Sequence, residues 1–237
     1  VEITVLDVND NPPLFTNSVY EGSIYENVAA GTSVLDVKAT DDDSGVNAKV
    51  SYRFRERADE DNPFVIDTLT GMVRTGKTLD RETNAYYNLM VEAVDAGHPE
   101  RSSSAQINIR VLDVNDNPPR FGSRFLNFTL PENSPVGSYV GTIQATDPDF
   151  GDNAIITYHL LDTSDRDLFQ LTKDPSSGQV SLTTLKEFDY ESEKTEYKLV
   201  LRAESVPLRT DVTIYVHIGD INDNAPELND FTIVFNH

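Results

Sequence analysis

The chain of 237 residues has no cysteine and no tryptophan, only two methionines, and 19 basic residues against 40 acidic ones, for a formal charge of −21. Without cysteine there is no disulfide framework, no thiolate metal site and no cysteine nucleophile. The shortage of lysine and arginine argues against a nucleic-acid partner, whose phosphates demand basic patches, and against contact of this segment with an anionic membrane surface. No apolar run approaches the ~20 residues needed to cross a bilayer, and no signal peptide precedes Val1. The opening VEITVLDV begins in mid-strand, so the sequence reads as a piece of a longer protein. The four histidines, His98, His159, His217 and His237, form no HExxH or close pair and read as surface residues. The triplet Asp59, Glu60, Asp61 reads as a solvated turn.

What is present is acid, arranged periodically. A five-residue word, DVNDN or DINDN, begins at Asp7, Asp113 and Asp220, at intervals of 106 and 107 residues. An acidic surface alone can be a solubility device; recurrence at the length of one small domain requires more than that. Each word closes an alternating apolar run and opens onto proline, at Pro12, Pro118 and Pro226, so it marks a boundary. The expected organisation is the end of one repeat at 1–11, complete repeats at 12–117 and 118–224, and the start of another at 225–237.

Period-2 alternation places Ile107, Ile109 and Val111 on one face, and Val212, Ile214, Val216 and Ile218 on the equivalent face of the second repeat, with His217 outward. Further strands are expected at 19–25, 33–39, 50–54, 64–66, 72–74 and 87–93, rich in β-branched and aromatic residues between turn formers. The stretch 184–196 lacks a helical apolar stripe and reads as loop plus a strand start. Seven short strands in about 105 residues imply an all-β fold of tandem seven-stranded antiparallel Greek-key sandwiches.

The two repeats match in their acids: Glu26 of YEN with Glu132 of PEN, Asp80 and Glu82 of DRE with Asp189 and Glu191 of DYE, Asp41 and Asp43 of DDD with Asp147 and Asp149 of DPD. All fall at strand ends or in loops. Carboxylates, asparagine amides and backbone carbonyls in such number suit the six to eight oxygen ligands of Ca²⁺; Mg²⁺ would keep more water. Asp80 and Glu82 could also be imagined as the acid and base of a glycan hydrolase. Periodic copies at domain boundaries fit metal ligation better, and no enzyme activity is expected.

With these motifs in fixed order, the chain resembles consecutive cadherin repeats over essentially its whole length, an Ig-like sandwich array joined by calcium-binding linkers. The resemblance implies three Ca²⁺ ions at the central junction. Glu26, Asp80, Glu82 and Asp116 would hold the outermost. Glu26, Glu82, Asp113, the Val114 carbonyl, Asp116 and Asp149 would hold the second, and the Asn115 side chain, the Asn117 carbonyl, Asp147, Asp149 and the Asn153 carbonyl the third. Seven carboxylates there would face a charge of +6; without cations each close pair repels by about 4 kcal/mol at ~4 Å and an effective dielectric of ~20, so the junction should splay. At the first junction the resemblance implies a site from Asn9, the Asn11 carbonyl, Asp41, Asp43, the Asn47 carbonyl and Asp95. At the last, Glu132, Asp189, Glu191, Asp220, Ile221 and Asp223 would remain.

Ala93, Val94, Asp95 carries the aspartate that the family places late in a repeat, whereas the second repeat has Ala203, Glu204, Ser205, with Glu204 expected on the opposite face. The third ion at the central junction should therefore bind weakly. His237 stands where alternation from Phe231, Ile233 and Phe235 would put the next repeat's base glutamate. The sequon Asn127, Phe128, Thr129 should present Asn127 outward, with Leu126, Phe128 and Leu130 inward.

Lacking tryptophan, the chain cannot supply the anchor that the best-known cadherins use in strand exchange. Its framing, its Ser205 to Leu208 turn and its closing FTIVF resemble the long, non-strand-swapping members, of the seven-pass flamingo type as against Fat, Dachsous or protocadherins. That resemblance implies an extracellular segment of a plasma-membrane receptor, calcium-dependent adhesion through cadherin repeats of the same or a related protein on an adjacent cell, and planar-polarity signalling. The alternative is a calcium-stiffened spacer or tension-bearing segment with no adhesive surface.

Overall fold

The structure, a computed structural model, describes residues 2–55, 62–174, 177–191 and 194–226. The turn at Asp59, Glu60, Asp61 and the positions Phe231, Ile233, Phe235 and His237 lie outside the described residues. Two compact units are present, Val1–Asp116 and Asn117–His237.

The first unit contains β1 (Leu14–Phe15), β2 (Val19–Tyr25), β3 (Ser33–Asp36), β4 (Ala39–Thr40), β5 (Ser51–Phe54), β6 (Phe64–Ile66), β7 (Met72–Thr75), β8 (Tyr86–Val94) and β9 (Ser102–Leu112). One sheet has the order β2-β9-β8-β5 and the facing sheet β3-β7-β6, while β1 pairs with β4. The nine segments amount to seven strands, because the first strand is broken between β1 and β2 and the second between β3 and β4. Pairing is antiparallel with one addition: β2 runs parallel to β9, from Val19 opposite Gln106 to Tyr25 opposite Leu112. That register carries the Tyr25-Glu26-Asn27 turn and the Asp113 word to the same end of the sheet.

Alternation produces the core as expected. Ile107, Ile109 and Val111 are buried with Val37, Val73, Leu79 and Val91, each strand turning one row of apolar side chains inward. The buried hydroxyl of Tyr52 accepts the Ala39 amide at 2.8 Å, so the ring fills the core while its polar end satisfies a strand start.

The second unit repeats the plan with β10 (Arg120–Phe121), β11 (Phe125–Pro131), β12 (Tyr139–Ile143), β13 (Ala145–Thr146), β14 (Thr157–Leu160), β15 (Phe169–Lys173), β16 (Val180–Thr184), β17 (Glu196–Ser205) and β18 (Leu208–Gly219). Its sheets are β11-β18-β17-β14 and β12-β16-β15, with β10 on β13 and β11 parallel to β18. Val212, Ile214, Val216 and Ile218 are buried, and Tyr158 accepts the Ala145 amide at 2.8 Å as Tyr52 does in the first unit. Leu126 and Phe128 pack on the core, Leu130 is within it, and Asn127 is exposed. The only helical segments among the described residues are single 3-10 turns at Gly151–Ala154 and Arg166–Leu168.

One core residue lies where the sequence pattern suggests only loop. Phe188 is fully buried, stacked on Phe169 at 5.4 Å and edge-on to Tyr197 at 4.8 Å. The hairpin ends of the two units also differ. In the first, Val94 faces Ser102 across a seven-residue loop; in the second, Ser205 faces Leu208 across Val206 and Pro207 alone.

Candidate metal centres

Each unit gathers three carboxylates whose oxygens lie within 4.8 Å of one another: Glu26, Glu82 and Asp113 in the first, Glu132, Glu191 and Asp223 in the second. The glutamate of the YEN or PEN turn is the anchor. Glu26 is 2% exposed; its Oε1 accepts the Val114 amide at 2.8 Å and its Oε2 the Arg81 amide at 2.7 Å. Glu132, 1% exposed, accepts the Ile221 and Tyr190 amides, both at 2.6 Å. In each case one side chain ties the DRE-type turn to the linker word, and two backbone donors hold its carboxylate in place.

Crowding of like charge shows in the electrostatics. Burial, reinforced by the Glu26 charge and opposed by a backbone hydrogen bond and by Arg81, pushes the Glu82 carboxyl above its ordinary range. Glu191 is held down by its own backbone amide, yet burial and the charges of Glu132 and Asp223 leave it raised. Glu132 is lowered by the Ile221 and Tyr190 amides. In the first unit Arg81 pairs with both Glu82 and Asp113; Tyr190 stands at the equivalent place in the second.

Around each cluster the remaining base residues sit close in sequence but differently engaged. Asp80 is occupied by the Thr83 hydroxyl at 2.8 Å and the Thr83 amide at 3.2 Å, and Asp189 accepts the Glu191 amide at 3.1 Å. Asp220 is exposed beside the cluster of the second unit. Asp116 accepts a hydrogen bond from the Asn27 side chain, and Asp223 one from Asn133 at 2.6 Å. Asn27 and Asn133 have φ of 60° and 57°, the left-handed conformation that asparagine tolerates better than other side chains. Sequence reasoning passed over both; the signal was their identical place in YEN and PEN.

A second grouping recurs at the loop after β4 and after β13. In the first unit Asp43 accepts the Asn11 side chain at 2.6 Å and its amide at 3.2 Å, while the Asp43 amide donates to Asp41 at 2.9 Å. The Asn11 side chain is the chief influence lowering the Asp43 carboxyl. In the second unit Asn117 makes the same two contacts to Asp149, at 3.0 and 3.3 Å, and the Asp149 amide donates to Asp147 at 3.0 Å. Asn47 directs its side chain to Asp7 at 2.8 Å, and Asn153 lies in the 151–154 turn. Asn115 and Val114 are half-buried at the end of the first unit. Asp7, which also accepts the Ser44 amide at 3.0 Å, was not among the expected ligands.

Asn9 and Asp95, 7% and 3% exposed, provide the test of fit to a cation. The Asn9 Oδ1, Asp41 Oδ2 and Asp95 Oδ2 atoms are buried without a hydrogen-bond partner, although the other polar atoms of Asn9 and Asp95 are bonded. Leaving one such acceptor unsatisfied costs about 1–3 kcal/mol, and more for a charged group. Anionic and amide oxygens in this state suit a hard cation.

A family model for the cadherin domain matches residues 20–112 and 126–219. The chain belongs to the cadherin family. Its repeats are 47% identical, over the whole chain, to the protocadherin-like wing polarity protein stan of Drosophila melanogaster, of which the chain spans 7%. They are 45% identical to the cadherin EGF LAG seven-pass G-type receptor 2 of Homo sapiens, spanning 8% of it. Among solved structures, three repeats of mouse cadherin-23 superpose with a TM-score of 0.80 at 34% identity, over 91% of this chain and 67% of that one. The protocadherin γB4 extracellular domain gives 0.78 at 36%, over 93% and 34%. The resemblance to long seven-pass cadherins therefore holds, and the chain covers under a tenth of those relatives.

Proposed function

We propose that the chain is part of the extracellular region of a seven-pass receptor, serving calcium-dependent adhesion between cells and planar-polarity signalling, in keeping with the wing polarity that the fly relative's name gives. The repeats are taken as 12–117 and 118–224, with 1–11 and 225–237 belonging to their neighbours. The observation that carries the reading is the set of buried, unpartnered oxygens on Asn9, Asp41 and Asp95. The paired clusters around Glu26 and Glu132 support it.

The ligands are assigned as the family resemblance implies: Glu26, Asp80, Glu82, Asp113, Val114, Asn115, Asp116, Asn117, Asp147, Asp149 and Asn153 between the two repeats, Asn9, Asn11, Asp41, Asp43, Asn47 and Asp95 before the first, and Glu132, Asp189, Glu191, Asp220, Ile221 and Asp223 after the second. Bound calcium supplies positive charge that turns mutually repelling carboxylates into a cross-link. Glu26 and Glu132 orient the linker word by accepting one amide from it, of Val114 or Ile221, and one from the DRE-type turn, of Arg81 or Tyr190. Nothing in this arrangement calls for catalysis, because the same carboxylates recur in both units at the same place in the fold.

The partner is a cadherin repeat of the same or a related protein on the adjacent cell. The alternative is a calcium-stiffened spacer or tension-bearing segment with no adhesive surface of its own. Beads coated with the chain should clump in calcium and disperse in chelator. Beads that stay dispersed in both would assign the segment to the spacer.

A further inference from the structure

The loop of residues 95–101 does more than close a hairpin. Pro99 accepts the Asn9 side-chain amide at 2.6 Å, and Arg101 Nε donates to the Asn9 backbone carbonyl at 2.9 Å. The Gly97 and Arg101 amides donate to Asp95 Oδ1, at 3.0 and 3.1 Å, which leaves Oδ2 as the unpartnered oxygen. Gly97 is required where it stands: a Cβ there would lie 2.2 Å from Asn9 Nδ2 and 2.3 Å from Asn9 Cγ. One loop thus fixes both ends of Asn9, decides which of its amide atoms remains free, and sets the rotation of Asp95. The second unit closes its hairpin with two residues and carries Ser205 in place of the aspartate.

We propose that loop 95–101 is a clasp that holds the linker residue Asn9 against the first repeat before any metal arrives, with Gly97 and Arg101 as its positioning residues. The clasp presents Asn9 Oδ1 and Asp95 Oδ2 to the cation already oriented. The proposal rests on the calcium reading above and goes beyond it in assigning pre-organisation to residues that are not themselves ligands. Loss of an orienting partner one step removed from a metal typically costs 10–100-fold in affinity.

The test uses the whole chain. Calcium titration of Gly97→Ala and Arg101→Ala should show a single site weakened by at least about tenfold, the others holding their affinity, and Arg101→Lys should recover part of the loss. Since the atoms that must give way to the added methyl in Gly97→Ala belong to the Asn9 side chain and not to the hairpin backbone, the variant should fold. Hydrogen exchange in chelator provides the metal-free arm. The amides of residues 9–11 should exchange faster in Gly97→Ala than in the wild-type chain. Wild-type affinity at every site in both alanine variants overturns the clasp, as does equal exchange in chelator. If the wild-type chain binds no calcium, the orienting role falls with the calcium reading; a persisting exchange difference would then show that the reading failed while the contact stood.

Discussion

At the scale of residues, two glutamates do most to organise the clusters, and their environments differ from those of their neighbours. Glu132 has a folded value below its unfolded one, about 4.3. Its contribution to stability is therefore fully present above that unfolded value and is lost as pH falls through the lower folded value. Glu82 has the opposite sign: burial, with the Glu26 charge added, raises its carboxyl above the ordinary range, so the folded chain disfavours its ionised form. Metal ligands must be deprotonated, so calcium binding should expel more protons as pH falls toward the carboxylate range than it does at neutral pH. Calorimetry in two buffers of different ionisation enthalpy reads this directly; heats independent of buffer at acid as at neutral pH would contradict a raised carboxyl among the ligands. Asn133, with φ 57° and a hydrogen bond to Asp223, makes a second test. Asn133→Ala should cost about 1 kcal/mol more than Asn133→Gly in denaturant unfolding, because glycine alone adopts that backbone without strain.

At the scale of elements, the strands whose alternation was plain in the sequence are where it put them: Val19–Tyr25 and Phe64–Ile66 end to end, and Ile107, Ile109 and Val111 facing inward. Periodicity reports which face a strand buries, and it carries no information on which distant strand lies beside it. The parallel pairing of β2 with β9, which joins the YEN turn to the linker word, was accordingly invisible. Phe188 was missed because a single aromatic in a loop has no period; its slot is built by residues from other strands, Phe169 and Tyr197 among them. Phe188→Ala should destabilise the second unit by about 3–5 kcal/mol, seen as a lower denaturant midpoint with the first unit unaffected. The acidic residues were legible through their repetition, whereas the contacts of Asn9 were not, since they depend on the course of a loop 86 or more residues away in the chain.

At the scale of the whole molecule, two repeats of one plan differ where the proposed calcium ligands stand. Asp95 with its loop stands in the first, Ser205 with a two-residue turn in the second. Ser205→Asp should accordingly tighten the weakest calcium site of the chain, and a titration in which its affinities match those of the wild type would count against the assignment. The central claim, that the periodic acids are cation sites and not solvated charge, is tested most directly by calorimetric titration of chelator-stripped chain with calcium. Binding of about four to six ions, at affinities in or tighter than the ~10⁻⁴–10⁻³ M range of extracellular modules, is the result the account predicts. No binding at millimolar calcium would contradict it, and would leave the clusters around Glu26, Glu132 and Asp95 without the counter-charge their burial demands.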